Sequence, residues 1–281
     1  MPTPVPAPHT EPFRTHARDI AARDAQDLMS WPFFSLAKSR RVIPIDFRLG
    51  DVSIRVEATA EHGMATIWDA DILIWAASQI VDARDNGLRT SRFMLARPYE
   101  ILSFIGRADT GLNYIRLKAA FDRLQSTTVV TSIRQLSEKR RHRFSWIAEW
   151  KERLDGARSL GVELVLADWF YAGVLDDALI LTIDREYFAL KGGLERWLYR
   201  LVRKHGGRQR WGWSFDIAHL HLKSGSLAPL RRFRFELRAI VRQQSLPGYY
   251  LELVDEPDGR QRLIFQPDKP DLVGRRTGGA K

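Results

Sequence analysis

The chain contains no cysteine. That absence removes disulfides, thiolate nucleophiles and cysteine-ligated zinc from consideration, and it fits a reducing compartment. Long apolar runs are missing too, since none approaches the ~20 residues that span a bilayer. The amino-terminal stretch MPTPVPAPHTEP lacks the charged and apolar regions of a signal peptide. A soluble, cytoplasmic protein that uses no membrane is therefore expected. No Walker-type glycine-rich loop with its lysine is present, so no nucleotide hydrolysis is expected. Acidic residues are in deficit, with 34 Asp and Glu against 44 Lys and Arg and a formal charge of +10. An excess of that size favours polyanions, either nucleic acid or acidic membrane. A merely solvated basic surface is the plainer alternative.

What the chain does contain is one order of elements used twice. Residues 69–150 and 193–267 each read as a helix, a short strand, a second helix, a longer basic helix and two strands joined by a turn. That order is a winged helix, a helix-turn-helix with a β-hairpin appended. The predicted fold is α+β, with two tandem winged-helix modules. Residues 1–30 are expected to be a disordered or weakly ordered arm, in which 15–29 could form a short helix. The first module with its leading strands takes residues 31–165, the second takes 166–268, and 269–281 form a disordered tail.

Trp31, Phe33, Phe34 and Leu36 cluster around Pro32 and are expected to dock onto the first module; an exposed partner site is the alternative. Residues 41–49 and 52–58 read as strands about the turn at Gly50-Asp51, with Val52, Ile54, Val56 and Ala58 alternating. In the first module, helices are predicted at 69–83, 98–105 and 112–125, and a strand at 92–95. Leu117, Ala120, Phe121 and Leu124 fall at i, i+3, i+4 and i+7 and should face the core. The β-branched run 127–134 and its partner 143–150 form the expected wing. Residues 151–190 are harder to read, with a short helix near 167–172 and a strand at 178–183. In the second module, helices are predicted at 194–204, 215–222 and 227–242, with Ser226 as a candidate cap and Pro229 in the first turn. Its wing strands are 249–254 and 261–265.

The charge is concentrated. Between Arg196 and Arg242 the basic residues are Arg196, Arg200, Arg203, Lys204, Arg208, Arg210, Lys223, Arg231, Arg232, Arg234, Arg238 and Arg242, against only Asp216 and Glu236. Arg231, Arg238 and Arg242 share one exposed face of the last helix. A helix fits the major groove, where arginine forks bind guanine edges or phosphates. Arg232 belongs with them, although Glu236 stands four residues on as an acidic partner. Lys223, Ser224 and Ser226 precede that helix, where hydroxyls and free backbone N–H groups suit a phosphate or simply cap. The matching candidates in the first module are Thr110, Asn113, Arg116 and Lys118, on a face diluted by Asp122. Lys139, Arg140, Arg141 and Arg143 at the expected wing tip would grip backbone or minor groove.

The stretch LYRLVRKHGGRQRWGWSFDIAHLHLKSGSLAPLRRFRFELRAI resembles the plasmid replication initiator protein A family of bacteria. So do RFMLARPYEILSFIGRADTGLNYIRLKAAFDRLQSTTVVTSI and SWPFFSLAKSRRVIPIDF. Together the resemblance covers roughly residues 30–267. It implies binding to repeated sites, or iterons, at a plasmid origin, local melting, and recruitment of host replication proteins such as the initiator and helicase. It also implies a possible homodimer that represses its own promoter. A winged-helix transcription regulator is the nearest alternative.

His219-Leu220-His221 has the His-apolar-His form of metal-dependent nicking enzymes, and Tyr249 and Tyr250 offer nucleophiles. On a helix, however, positions i and i+2 lie ~200° apart. The segment reads as helical, so shared metal ligation is not expected. Asp176, Asp177 and Asp184 form no coherent catalytic pair with a histidine, and the tryptophans are expected to fill cores. No catalytic residue, metal or cofactor is assigned.

Overall fold

The computed structural model describes residues 12–15, 19–134, 141–156, 158–206 and 212–268. The strands are β1 Phe13–Arg14, β2 Arg23–Ala25, β3 Ile45–Leu49, β4 Val52–Glu57, β5 Phe93–Ala96, β6 Thr128–Thr131, β7 His142–Ser145, β8 Ile147–Asp155, β9 Arg158–Leu166, β10 Ile180–Thr182, β11 Trp213–Asp216, β12 Tyr249–Asp255 and β13 Gln261–Pro267. The helices are α1 Gln26–Ser30, α2 Ala70–Asp85, α3 Pro98–Phe104, α4 Gly111–Ser126, α5 Asp168–Leu175, α6 Gly193–Gly206, α7 Ile217–Ser224 and α8 Leu230–Gln243. Sheets form in the orders β1-β5-β9-β8, β3-β4-β6-β7, β11-β13-β12 and β10-β2. The architecture is mixed α+β, and every helix expected in the two repeats is present.

The helices differ in how they are buried, and the sequence explains why. α2 is apolar on nearly all sides, so it sits inside the molecule with Ile72, Leu73, Trp75, Ala76 and Ile80 buried. α4 and α8 each bury one apolar stripe, although Leu112 and Ile115 of α4 and Phe235 of α8 are exposed. Leu117, Ala120, Phe121 and Leu124 face inward from α4, as their spacing requires. Phe233, Leu237 and Ile240 do the same from α8. The opposite faces of both helices are left at the surface.

The segment before β3 is packed rather than peripheral. The helix expected over residues 15–29 is confined to α1, while Arg23–Ala25 pairs antiparallel with β10. Phe33 and Phe34 are fully covered and meet Trp146 at centroid separations of 5.5 and 5.0 Å. The aromatic cluster around Pro32 is therefore a core wedge, as expected, and offers no exposed partner site. It also touches the second repeat: a Cβ on Gly225, whose φ is +62°, would lie 2.8 Å from the Pro32 side chain. Only glycine accommodates both that backbone and that approach.

One expected pairing is different. The strand predicted over 143–150 is divided at Trp146, which turns into the aromatic core. Residues before it pair with β6. Those after it form a hairpin with β9, and β9 pairs with β5. In the second repeat β13 pairs with both β11 and β12. By pairing, then, β8–β9 is the first repeat's counterpart of β12–β13, while β6–β7 belongs to the sheet of β3 and β4.

Candidate nucleic-acid interface

α8 is anchored by its Phe233, Leu237 and Ile240 stripe, and Arg231, Arg238 and Arg242 are exposed on it. Arg231 and Arg242 have no ion pair among the described residues. Arg238 only approaches Gln261 on β13, at 3.4 Å. Arg232 is exposed but bound to Glu236 at 3.0 Å, the i,i+4 pair visible in the sequence. The hairpin beside α8 is largely self-neutralised, since Arg260 pairs with Asp258 at 2.7 Å and Arg262 with Glu256 at 3.6 Å.

The approach to α8 departs from expectation. The helix begins at Leu230 with Pro229 in the cap position, so Ser226 does not cap it. The Ser226 hydroxyl instead accepts from the Ala228 N–H at 3.2 Å, within the preceding turn. Ser224 lies in the last turn of α7, is fully buried, and donates to the His221 carbonyl at 2.7 Å. Lys223 is also buried, its ammonium 3.9 Å from the centre of the Trp31 ring. Burial, helped by nearby Lys204, lowers its pKa to about 8. Neither is open to a ligand approaching α8: the Lys223 ammonium faces Trp31, and the Ser224 hydroxyl is buried on the His221 carbonyl.

The concentration of charge in the second repeat is likewise smaller than the sequence suggests. Arg196 binds Asp71 of α2 at 2.7 and 2.9 Å, with both groups buried. Arg200 makes a two-pronged pair with Asp24 of β2, at 2.6 and 2.9 Å. These two arginines hold α6 to the first repeat and the leading segment. Burial raises the Asp71 pKa to about 6 despite the opposing pull of Arg196 and Arg107.

On the first repeat, Thr110 caps α4 by accepting from the Asn113 N–H at 3.4 Å. The Asn113 amide donates to the Ala108 carbonyl at 2.8 Å. Arg116 is exposed and only touches Asn113, at 3.4 Å. Lys118 is committed to Glu152 of β8 at 2.6 Å, a hydrogen bond that lowers the Glu152 pKa. Asp122 accepts from the Trp150 indole at 3.1 Å. Of the four candidates here, Arg116 is the one with a free charged head. Lys139 and Arg140 lie outside the described residues. Arg141 and Arg143 are exposed at the mouth of the β6–β7 hairpin, with Arg143 3.6 Å from Glu57.

Two clefts flank the exposed segment 37–40. One, of about 890 Å³, is walled by Arg232, Phe235 and Ala239 of α8. The other, of about 600 Å³, is walled by Arg116, Leu117, Ala120 and Arg123 of α4. Ser39 and Arg40 line both. Lys38 and Arg40 were not among the sequence candidates, although the basic run Lys38-Ser39-Arg40-Arg41 was a signal for them.

His219 and His221 are both on α7, the helix expected there. His219 stacks on Phe215, and His221 Nε2 lies 2.7 Å from the Ala228 carbonyl. They point to different surroundings and share no ligand position.

These features describe a basic, two-repeat α+β protein with an exposed arginine face on α8. Residues 23–251 match the family described as Replication initiator protein A. A relative from Wigglesworthia glossinidia brevipalpis, described as "Putative replication protein", is 32% identical over 226 residues, covering 79% of this chain and 81% of its own length. Among solved structures, domains 2 and 3 of RctB superpose with a TM-score of 0.63 at 18% identity, covering 87% of this chain and 98% of that one. A second structure of RctB domains 2-3 gives a TM-score of 0.56 at 17% identity, covering 84% and 95%. The chain belongs to the Replication initiator protein A family, and its role is that of a replication initiator. Among the described residues, no helix is long and apolar enough to cross a membrane.

Proposed function

We propose that this protein is a sequence-specific double-stranded DNA-binding initiator of plasmid replication, acting in the cytoplasm at repeated origin sites. It would do so through two tandem winged-helix modules. The order α6, β11, α7, α8, β12, β13, with β11 paired into the hairpin sheet, supports that reading of the second repeat. α2, β5, α3, α4 and the β8–β9 hairpin support it for the first. The observation that carries the proposal is the face of α8. Arg231, Arg238 and Arg242 project from one rigid, packed helix without carboxylate partners, the arrangement that lets guanidinium forks read guanine edges or phosphates. α4 contributes Arg116 and its capped amino terminus. Host initiator and helicase, and a second copy of this chain, are the partners that fit the role. The protein acts here without a catalytic residue, metal or cofactor.

DNase footprinting on the chain's own plasmid DNA, with a parallel incubation in magnesium alone, tests the reading. Direct repeats protected without cleavage are the expected result. A single protected palindrome points to a transcription regulator, and a magnesium-dependent nick to an endonuclease. Arg238→Ala should cost about 1–3 kcal/mol of binding, and a shallower salt dependence should accompany it. An unchanged affinity and slope would remove Arg238 from the interface.

A further inference from the structure

The cleft on the α4 side concentrates charge of one sign. Its charged lining is Lys38, Arg40, Arg107, Arg116 and Arg123, with Asp69 as its one lining carboxylate. Asp69 is already engaged on both oxygens by Arg123, at 2.7 Å each. Asp71 lies 4.0 Å from Arg107 but is held more closely by Arg196, at 2.7 Å. The remaining cations have weak internal partners. The Lys38 ammonium sits 5.3 Å from the Trp68 ring centre, Arg40 donates to the Glu61 carbonyl at 3.2 Å, and Arg116 touches Asn113 at 3.4 Å. Among the described residues none of these three has a carboxylate within ion-pair distance. Cations gathered in a recess with low-dielectric walls focus a positive field into it. Guanidinium and ammonium groups at such a point suit phosphate oxygens.

The geometry points to this cleft as a phosphate-binding site, formed by Lys38, Arg40, Arg107 and Arg116. The phosphate comes from a DNA backbone crossing between the two third helices or from a free nucleotide. The first source rests on the DNA-binding reading above. It is favoured by position, because segment 37–40 runs between the cleft walled by α4 and the cleft walled by α8. A backbone gripped there would set the spacing between the two reading helices without specifying sequence. The second source fits the size of the recess, about 600 Å³, which is that of a small-molecule site.

The test uses the full chain and the variant Lys38→Ala/Arg40→Ala, in which both side chains are exposed and the fold should be unaffected. A charge-matched control, Arg14→Ala/Arg48→Ala, removes two exposed cations outside the cleft. Arg116→Ala serves as a second probe from a different element. Duplex affinity is measured across a salt series, and thermal shift is measured with ATP and with pyrophosphate. If DNA supplies the phosphate, the double variant binds duplex roughly tenfold or more weakly, with a salt slope shallower by about 2, and the control does not. If a free nucleotide supplies it, ATP or pyrophosphate raises the melting temperature of the wild type and not of the cleft variants, while the DNA slope stays put. Cleft variants that match the control in both arms overturn the proposal. Run beside them, Arg238→Ala separates the two ideas. Loss of DNA binding there with unaltered cleft variants and no nucleotide effect sinks the cleft alone. No DNA binding by the wild type sinks the DNA reading, and the nucleotide arm then decides the cleft.

Discussion

Asp24→Asn should be among the most damaging conservative changes available to this protein. Asp24 and Arg200 are each about 1% exposed, and their two-pronged contact is made at 2.6 and 2.9 Å. The asparagine keeps the shape and the β2–β10 pairing but removes the charge. A guanidinium is then left in the interior, with Phe34 beneath it and its Nη1 already without a hydrogen-bond partner. Breaking one side of such a pair costs about 3–5 kcal/mol. An exposed pair such as Arg232–Glu236, whose side chains are 74% and 42% accessible, is worth about 0.3–0.5 kcal/mol. The two classes of arginine therefore differ roughly tenfold in their effect on stability. Urea denaturation followed by circular dichroism and by tryptophan fluorescence measures this. Because Arg200 ties α6 to the leading segment while Arg196 ties it to α2, both probes should report one coincident transition. The double variant Asp24→Leu/Arg200→Met removes both charges together and should recover to within about 1–2 kcal/mol of the wild type. A loss below about 1 kcal/mol for Asp24→Asn, or a double variant as unstable as the single, would refute the reasoning.

Lys223→Met should leave DNA affinity and its salt slope unchanged, because the Lys223 ammonium faces Trp31 and not the surface of α8; a slope shallower by about 1 in the binding assay would return it to the interface. The folded-state pKa of Asp71, about 6, exceeds its ordinary value of 3.8, so its neutral form is favoured in the fold. That contribution is complete below about pH 4 and is lost as pH rises through about 6. Melting temperatures of the wild type and Asp71→Asn should therefore diverge across that window, with the wild type losing ground as pH rises; parallel curves would show that Asp71 does not titrate there. Gly225→Ala should cost more than about 1 kcal/mol in chemical denaturation, since it combines a φ of +62° with a 2.8 Å approach to Pro32. A neutral result would mean that the wedge can move off α7.

Helices α4 and α8 were legible because their information is local. Four inward residues on α4 and three on α8 recur at three- and four-residue spacing, and that period alone fixes which faces turn to the core. The hairpin β8–β9 was not legible, because most of β8 is solvated and carries little alternation of burial. Its boundary with β7 is set by Trp146, whose burial depends on Phe34, more than a hundred residues earlier in the chain. The role of each arginine was the hardest thing to read. Arg196 and Arg200 look like Arg238 and Arg242 in sequence, on helices with similar one-sided character. What separates them is a carboxylate 125 residues away in one case and 176 in the other. A cationic stretch therefore sorts into buried locks and exposed cations only through the elements that fold against it. Segment 23–36 does much of that sorting, since it supplies Asp24 to one arginine and packs Trp31 against Lys223. The same segment continues into Lys38 and Arg40, which emerge at the surface between α4 and α8. The stretch that withdraws Arg200 and Lys223 from the surface thus places two other cations on it.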